Sequence, residues 1–278
     1  MTINELREYQ VAQLELIKMV DELCSKLHLT YYIIGGTLLG AVRHGGFIPW
    51  DPDMDIAMPR DDYEKLREYF KCNENNRFFY QHYSTEKNHF PAHALIKIKD
   101  SHVITFSKGS RFKPSYDGIY LDIFPLDNAP LDKKLQEIQM KRIKRITDVI
   151  YLKSAPIYNS NTRLKILAKH AVSLLLSPLT FAYLNKRRDK IMRKYNGISS
   201  KYLVSMASHY SYWKQLMPSE IYGEPVRVQF EGLSLPAPAL TNEYLTRIYG
   251  DYMQLPPEDK RWSYLDVFKK IEYASKEK

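Results

Sequence analysis

The sequence predicts an α+β fold, a small mixed sheet flanked by helices, with a helical, basic accessory region added to it. Three observations carry this reading. The first 27 residues hold an apolar period close to 3.6. Short β-prone runs cluster between residues 78 and 124. Residues 131–195 then turn helical in pattern, with Lys and Arg far outnumbering acids.

The elements follow in order. Thr2-Ile3-Asn4-Glu5 reads as a capping box, opening a helix with apolar positions at Leu6, Leu14, Ile17, Val20, Leu23 and Leu27. Tyr31 to Ile34 is β-prone, and the Gly35-Gly36 turn and a helix-like segment follow it. Asp53 and Asp55 then head an apolar strand through Ile56, Ala57 and Met58, and Asp61 is placed to cap a helix reaching about Phe70. Strands are expected at Phe78–Tyr83, Ala92–Lys99, Val103–Phe106 and Gly118–Phe124. Near the C-terminus, Pro225–Phe230 reads as a strand and Thr241–Tyr249 as a helix stopped by Gly250. Ser275–Lys278 are expected to fray. The chain divides into a core (1–130), a basic helical region (131–200) and a C-terminal segment (201–278) that packs back on the core.

Composition narrows the function. A chain of 278 residues, 44% hydrophobic and 26% charged, is an ordinary globular protein with room for a sizeable core. Cys24 and Cys72 are its two cysteines, too few for a disulfide framework, so a reducing compartment is the simpler reading. The opening MTINELREYQ lacks the basic and apolar regions of a signal peptide, and no run approaches the roughly 18 apolar residues of a membrane span. A cytoplasmic protein, peripheral at the inner face of the cell membrane, is expected. Net charge of +9 favours an anionic partner. Cys72, His82, His89 and His93 follow no zinc spacing, and Pro91 argues against a helical pair of His89 and His93.

The stretch GGTLLGAVRHGGFIPWDPDMD, Gly35 to Asp55, holds the densest chemistry. Side chains alternate along a strand, so Asp53 and Asp55 share a face roughly 7 Å apart. Paired carboxylates repel unless a cation or proton intervenes, and oxygen ligands on one face suit Mg²⁺, with Mn²⁺ as a substitute. Gly35, Gly36 and Thr37 form a candidate phosphate cradle at a helix N-terminus. Asp122 is the third carboxylate, set among Leu121, Ile123 and Phe124 in a run that reads as an interior strand, where a carboxylate needs a partner. Arg43 is a candidate phosphate clamp, and Lys97 and Lys99 share one strand face as candidate neutralisers of a pyrophosphate. Together these residues suggest metal-assisted phosphoryl chemistry.

The same stretch resembles the nucleotidyltransferase superfamily, with its glycine turn followed by Asp-x-Asp. Within it the chain looks closely like the LicD family of phosphocholine transferases, to which fukutin-related protein is also related. The match is carried by LLGAVRHGGFIPWDPDMDIAMPR (Leu38–Arg60), LDIFPLD (Leu121–Asp127) and FEGLSLPAP…YLTRIYGDYMQLPPEDKR (Phe230–Arg261). It departs from the family where Pro52 interrupts the acidic triplet after Trp50, so no role is assigned to a middle acid. The resemblance implies a nucleotidyltransferase-type core, with Asp53, Asp55 and Asp122 as catalytic, metal-holding triad and Asp127 at the substrate. It implies transfer of a phospho-alcohol, phosphocholine from CDP-choline being favoured, to a sugar hydroxyl of a lipid-linked glycan or teichoic acid precursor, releasing CMP.

Two other classes remain open at this level. One is a nucleotidyltransferase acting on a small molecule or protein. The other is a non-enzymatic basic protein binding membrane or nucleic acid, which explains neither the three placed aspartates nor the glycine turn; no nucleic acid is expected. Ala171–Leu184, apolar between basic flanks and interrupted by Pro178, reads either as a membrane-interface element or as a buried core helix.

Overall fold

The computed structural model describes residues 2–105, 115–155, 163–261 and 268–273; Phe106 and Ser275–Lys278 lie outside the described residues. The first half runs α1 (Ile3–Leu27), β1 (Tyr32–Ile33), α2 (Gly35–His44), β2 (Asp55–Pro59), α3 (Arg60–Cys72), β3 (Phe78–Gln81), β4 (Ala94–Ile98), β5 (Ser101–Thr105) and β6 (Tyr120–Asn128). Three helices follow, α4 (Lys133–Ser154), α5 (Arg163–Leu175) and α6 (Phe181–Met192). The remainder is β7 (Tyr202–Val204), α7 (Tyr212–Gln215), β8 (Leu216–Pro218), α8 (Ser219–Tyr222), β9 (Val226–Phe230), β10 (Leu233–Ala237), α9 (Thr241–Tyr249) and β11 (Phe268–Tyr273).

Among the described residues, seven strands make one mixed sheet with the path β1-β2-β6-β4-β3, extended from the end of β6 by β7 and then β8. Only the β2–β6 pairing on that path is parallel. Its register sets Asp55 against Asp122 and Ile56 against Ile123. Helices flank the sheet, so the fold is the α+β, nucleotidyltransferase-like arrangement expected.

The first helix starts as its sequence says. The Thr2 hydroxyl accepts from the Glu5 amide at 3.2 Å, and the Glu5 carboxylate accepts from the Thr2 amide at 2.7 Å. Leu6, Tyr9, Leu16, Ile17 and Val20 form its buried stripe, and each full burial of such a side chain contributes about 1.5–3 kcal/mol. The Gln13 amide donates to the Tyr120 carbonyl at 2.9 Å, seating α1 on the edge of β6.

Three expectations are corrected here. Asp61 does not cap α3: the cap position is Pro59, and Asp61 sits in the first turn, where a carboxylate still favours the helix dipole. Residues 171–184 are not one buried helix. Pro178 separates α5 from α6, Leu174 and Leu175 are each 76% exposed, and only Phe181 and Leu184 beyond the break are buried. β6 does not stop at Phe124; it runs through Pro125 to Asn128. Pairing with β4 ends at Ile123, so the missing proline N–H falls where the ladder on that side has finished.

This longer β6 relocates Asp127, expected on a turn at the substrate, into the interior at 0% exposure. Its Oδ1 and Oδ2 accept from Arg60 at 2.8 and 2.6 Å, and Asn196 donates to Oδ1 at 2.6 Å. Arg60 also reaches Asp189 of α6 at 2.9 Å and Glu64 at 3.3 Å. Asp127 is therefore fully engaged in joining α3, β6 and the helical region. Breaking a buried pair leaves a charge uncompensated. Asp127→Ala is expected to lower unfolding free energy by about 3 kcal/mol, the low end of that range because Arg60 keeps Asp189 and Glu64. Urea denaturation measures it; an unchanged midpoint would remove Asp127 from the framework.

Candidate active site

A recess of about 260 Å³ opens where the ends of β2 and β6 meet the start of α2. Asp51, Asp53, Asp55 and Asp122 line one side of it, with Gly35 and Gly36 beside them. Asp55 and Asp122 stand next to each other because neighbouring strands in register place equivalent side chains on the same face. Two hydrogen bonds fix this: the Asp122 amide donates to the Met54 carbonyl at 3.0 Å, and the Asp55 amide donates to the Thr37 hydroxyl at 2.8 Å. Asp53 lies just before β2, and its amide donates to Asp51 Oδ1 at 3.2 Å. The Tyr120 hydroxyl donates to Asp53 Oδ1 at 3.3 Å.

The glycines are required by the acids. Gly35 has φ +55°, and a Cβ there would stand 2.9 Å from Asp55 Oδ2. A Cβ on Gly36 would stand 2.3 Å from Asp51 Oδ2. The N-cap of α2, Ile34, offers no side-chain cap; the Gly35 amide instead donates to the Tyr244 hydroxyl, and Gly35 and Gly36 line the recess.

Electrostatics are dominated by carboxylates. Burial raises Asp51 to about 6. Burial first, then the charges of Asp51 and Asp122, push Asp53 up to about 8. Asp55 is raised well above the carboxylate range by burial and by Asp122 and Asp53. None of the described residues lining the recess is Lys or Arg. Nor do any three His, Cys, Asp or Glu side chains among the described residues converge on one point closely enough to hold an ion unaided.

Of the expected residues, the recess gathers Asp53, Asp55, Asp122, Gly35 and Gly36. The others lie outside its lining. Thr37 is buried behind the cradle, its hydroxyl spent on Asp55. Arg43 ends α2, about 12 Å from the cradle at 1.5 Å per residue, and donates to the Tyr252 and Gln254 carbonyls at 2.9 and 3.4 Å. Lys97 is buried, which lowers it to about 8, and its ammonium donates to the Tyr116 carbonyl at 2.8 Å. Lys99 falls past the end of β4, so it does not share that strand face, and sits 5.8 Å over the Tyr116 ring.

Sequence reasoning missed four features of the recess. Asp51 joins the acids despite Pro52. His93 Nε2 lies 3.0 Å from Asp122 Oδ1 and, facing a carboxylate, carries the proton. His89 Nε2 in turn donates to the His93 carbonyl at 2.8 Å. Tyr210, Tyr244 and Tyr249 line the recess together with His209, and Phe124, two residues along β6 from Asp122, lies against His93 with ring centroids 4.5 Å apart. The Tyr244 hydroxyl accepts from the Gly35 amide at 3.3 Å, and the Tyr210 and Tyr249 rings meet edge-on at 6.2 Å. Only the acids carried a sequence signal; a tyrosine among 22 does not stand out.

The raised carboxyls set a pH dependence. A free Asp ionises near pH 4, whereas Asp53 in the fold does so near 8. Between these values the folded chain keeps a proton the unfolded chain has lost, so stability falls as pH rises. In chelator, Asp53→Asn is expected to flatten that fall and to melt above the wild type at pH 8. Thermal unfolding across the window checks it, and equal slopes in both proteins would contradict it.

The comparisons with known proteins agree with this geometry. Residues 28–133, which span the cradle and Asp51, Asp53, Asp55 and Asp122, match the family described as LicD/FKTN/FKRP, nucleotidyltransferase domain. The lipopolysaccharide cholinephosphotransferase LicD of Haemophilus influenzae is 31% identical over 257 residues, covering 91% of this chain and 93% of that protein. Ribitol 5-phosphate transferase FKRP of human and mouse is 53% identical over 32 residues, 12% of this chain and 6% of that protein. An identity of 31% sustained over nine-tenths of both chains, with the carboxylate recess inside the matched domain, shows that this chain belongs to the LicD family.

Proposed function

We propose that the protein transfers a phospho-alcohol, phosphocholine from CDP-choline, to a sugar hydroxyl of a lipid-linked glycan or teichoic acid precursor and releases CMP. One observation carries this: four carboxylates and a helix N-terminus share a recess whose described lining residues include no Lys or Arg. Where its carboxyls ionise, such a site repels a pyrophosphate unless a divalent cation enters with it. The donor set fits that role. Mg²⁺ commonly takes one or two carboxylates and completes its shell with water and substrate phosphates, so three converging protein ligands are not needed. Asp53, Asp55 and Asp122 would hold Mg²⁺ or Mn²⁺, and Asp51 is close enough to Asp53 to share the charge. Bound there, the cation supplies charge neutralisation for the pyrophosphate oxygens.

The chain's own groups do the rest. Amides of the first turn of α2 orient the donor phosphates. The acceptor hydroxyl attacks the alcohol-bearing phosphorus in line, the bond from that phosphorus to the CMP oxygen breaks, and Asp122 takes the hydroxyl proton. His93 donates to Asp122 Oδ1 and so holds that carboxylate with its other oxygen free for the proton. The alcohol lies against the aromatic lining, where the ring faces of Tyr210 and Tyr249 suit a quaternary ammonium. The names of the relatives, a cholinephosphotransferase and a ribitol 5-phosphate transferase, support transfer of a phospho-alcohol to a glycan. With no helix among the described residues long and apolar enough to cross a membrane, we place the enzyme peripherally, at the cytoplasmic face where the lipid-linked acceptor is held.

Mass spectrometry of the glycan after incubation with CDP-choline, CDP-ribitol or CDP-glycerol tests the reaction; a nucleotidyl adduct on the acceptor would overturn it. Activity is expected to vanish in EDTA and return with Mg²⁺ or Mn²⁺. Asp53→Asn and Asp55→Asn are each expected to lower turnover at least about a hundredfold with the fold intact, the scale of losing a major electrostatic contribution. Tyr249→Leu keeps apolar bulk and removes the ring face. It is expected to raise KM for CDP-choline about threefold to thirtyfold while leaving KM for CDP-glycerol in place, as read by initial rates.

A further inference from the structure

A groove of about 920 Å³ lies between α4 and α6, apart from the carboxylate recess. Arg142 and Arg145 on one bank, and Arg187, Lys190 and Lys194 on the other, are all exposed. None of the described residues lining the groove is Asp or Glu. The nearby acids are engaged elsewhere: Asp148 pairs with Lys144 at 2.7 Å and Asp189 with Arg60 at 2.9 Å. The floor is apolar, formed by Ile146, Val149, Leu179, Leu184 and Ile191.

Two adjoining features extend the pattern. The chain enters the groove at Leu179 directly after the end of α5, where Leu174 and Leu175 stand 76% exposed. Lys153 of α4 holds the Leu176 carbonyl at 3.0 Å, fixing that end against α4. Tyr151, two residues from both Val149 and Lys153 on α4, lines the catalytic recess. Groove and recess thus share the last turns of one helix.

Five cations with no acid among the described residues lining the groove call for an anion, but a soluble anion leaves the apolar floor and the two leucines in water. An anionic amphiphile satisfies both at once. We propose that this groove docks anionic phospholipid of a bilayer, with headgroup phosphates on the cationic banks and the acyl boundary against the floor, Leu174 and Leu175. The proposal concerns binding alone and holds whichever alcohol the enzyme transfers. Its geometric consequence is that the recess, sharing α4, is held at headgroup level.

Full-length protein sedimented with vesicles of phosphatidylcholine, with and without phosphatidylglycerol, at low and high salt, provides the test. Binding is expected only to the anionic vesicles, with release as salt rises. The double variant Arg145→Gln, Arg187→Gln is expected to lower partition about 25-fold, from roughly fivefold per cation near the surface. Leu174→Ser, Leu175→Ser is expected to weaken binding as well. All four side chains are exposed, so melting temperatures should match the wild type; if the arginine pair lowers it, Lys190→Gln alone serves, with an expected loss of about fivefold. Equal binding to neutral vesicles, unchanged partition in the charge variants, or tighter binding to duplex DNA than to anionic vesicles would overturn the proposal.

Discussion

The parallel pairing of β2 with β6 is the constraint on which the rest of the molecule depends. It brings Asp55 beside Asp122, an arrangement that isolated carboxylates resist. What offsets the repulsion lies one residue away on each strand. Met54, Ile56, Leu121 and Ile123 are all 0% exposed. Each such burial contributes on the order of 1–3 kcal/mol, so a handful outweighs the strain of a crowded acid site. The core decides the register, and the register assembles the acids.

Two clusters of aspartate show how neighbours, not residue type, assign a role. Asp127 and Asp122 sit on the same strand, five residues apart. Asp127 meets Arg60 and Asn196, and every oxygen is occupied. Asp122 meets His93 and other carboxylates, and none of the described residues lining the recess around it is Lys or Arg. The first arrangement is closed and structural. The second is left electrostatically incomplete, which is the condition for recruiting a charge from outside.

Much of the fold was legible because local rules and the final packing agree. The capping box at Thr2, the existence of the strands that begin between residues 78 and 120 and the Gly250 stop appear as their patterns say, though the strand bounds shift. Asp55 and Asp122 were legible for a similar reason, since both fall on strands, while Asp53 joins them from just before β2 rather than from the strand face expected. The basic candidates were not. Arg43, Lys97 and Lys99 have reach enough for several destinations, and backbone carbonyls or a tyrosine ring met them first. Asp127 was misplaced because Pro125 reads as a strand end, while the sheet had already lost its partner on that side. His93 and the aromatic lining gave no local signal, since their meaning depends on contacts set by distant segments. The exposed leucines of α5 show the limit from the other direction, because apolar sequence alone does not say which side of a helix is covered.

The bond between the Gly35 amide and the Tyr244 hydroxyl links positions 209 residues apart. Contacts of such separation carry a large loop-closure entropy and form late in folding. A nascent chain can therefore pair β2 with β6 well before α9 has been synthesised, with its acids gathered and its aromatic lining incomplete. During that interval the recess lacks Tyr244 and Tyr249. These are among the last lining residues to be synthesised, and a chain shortened from its C-terminal side loses them first.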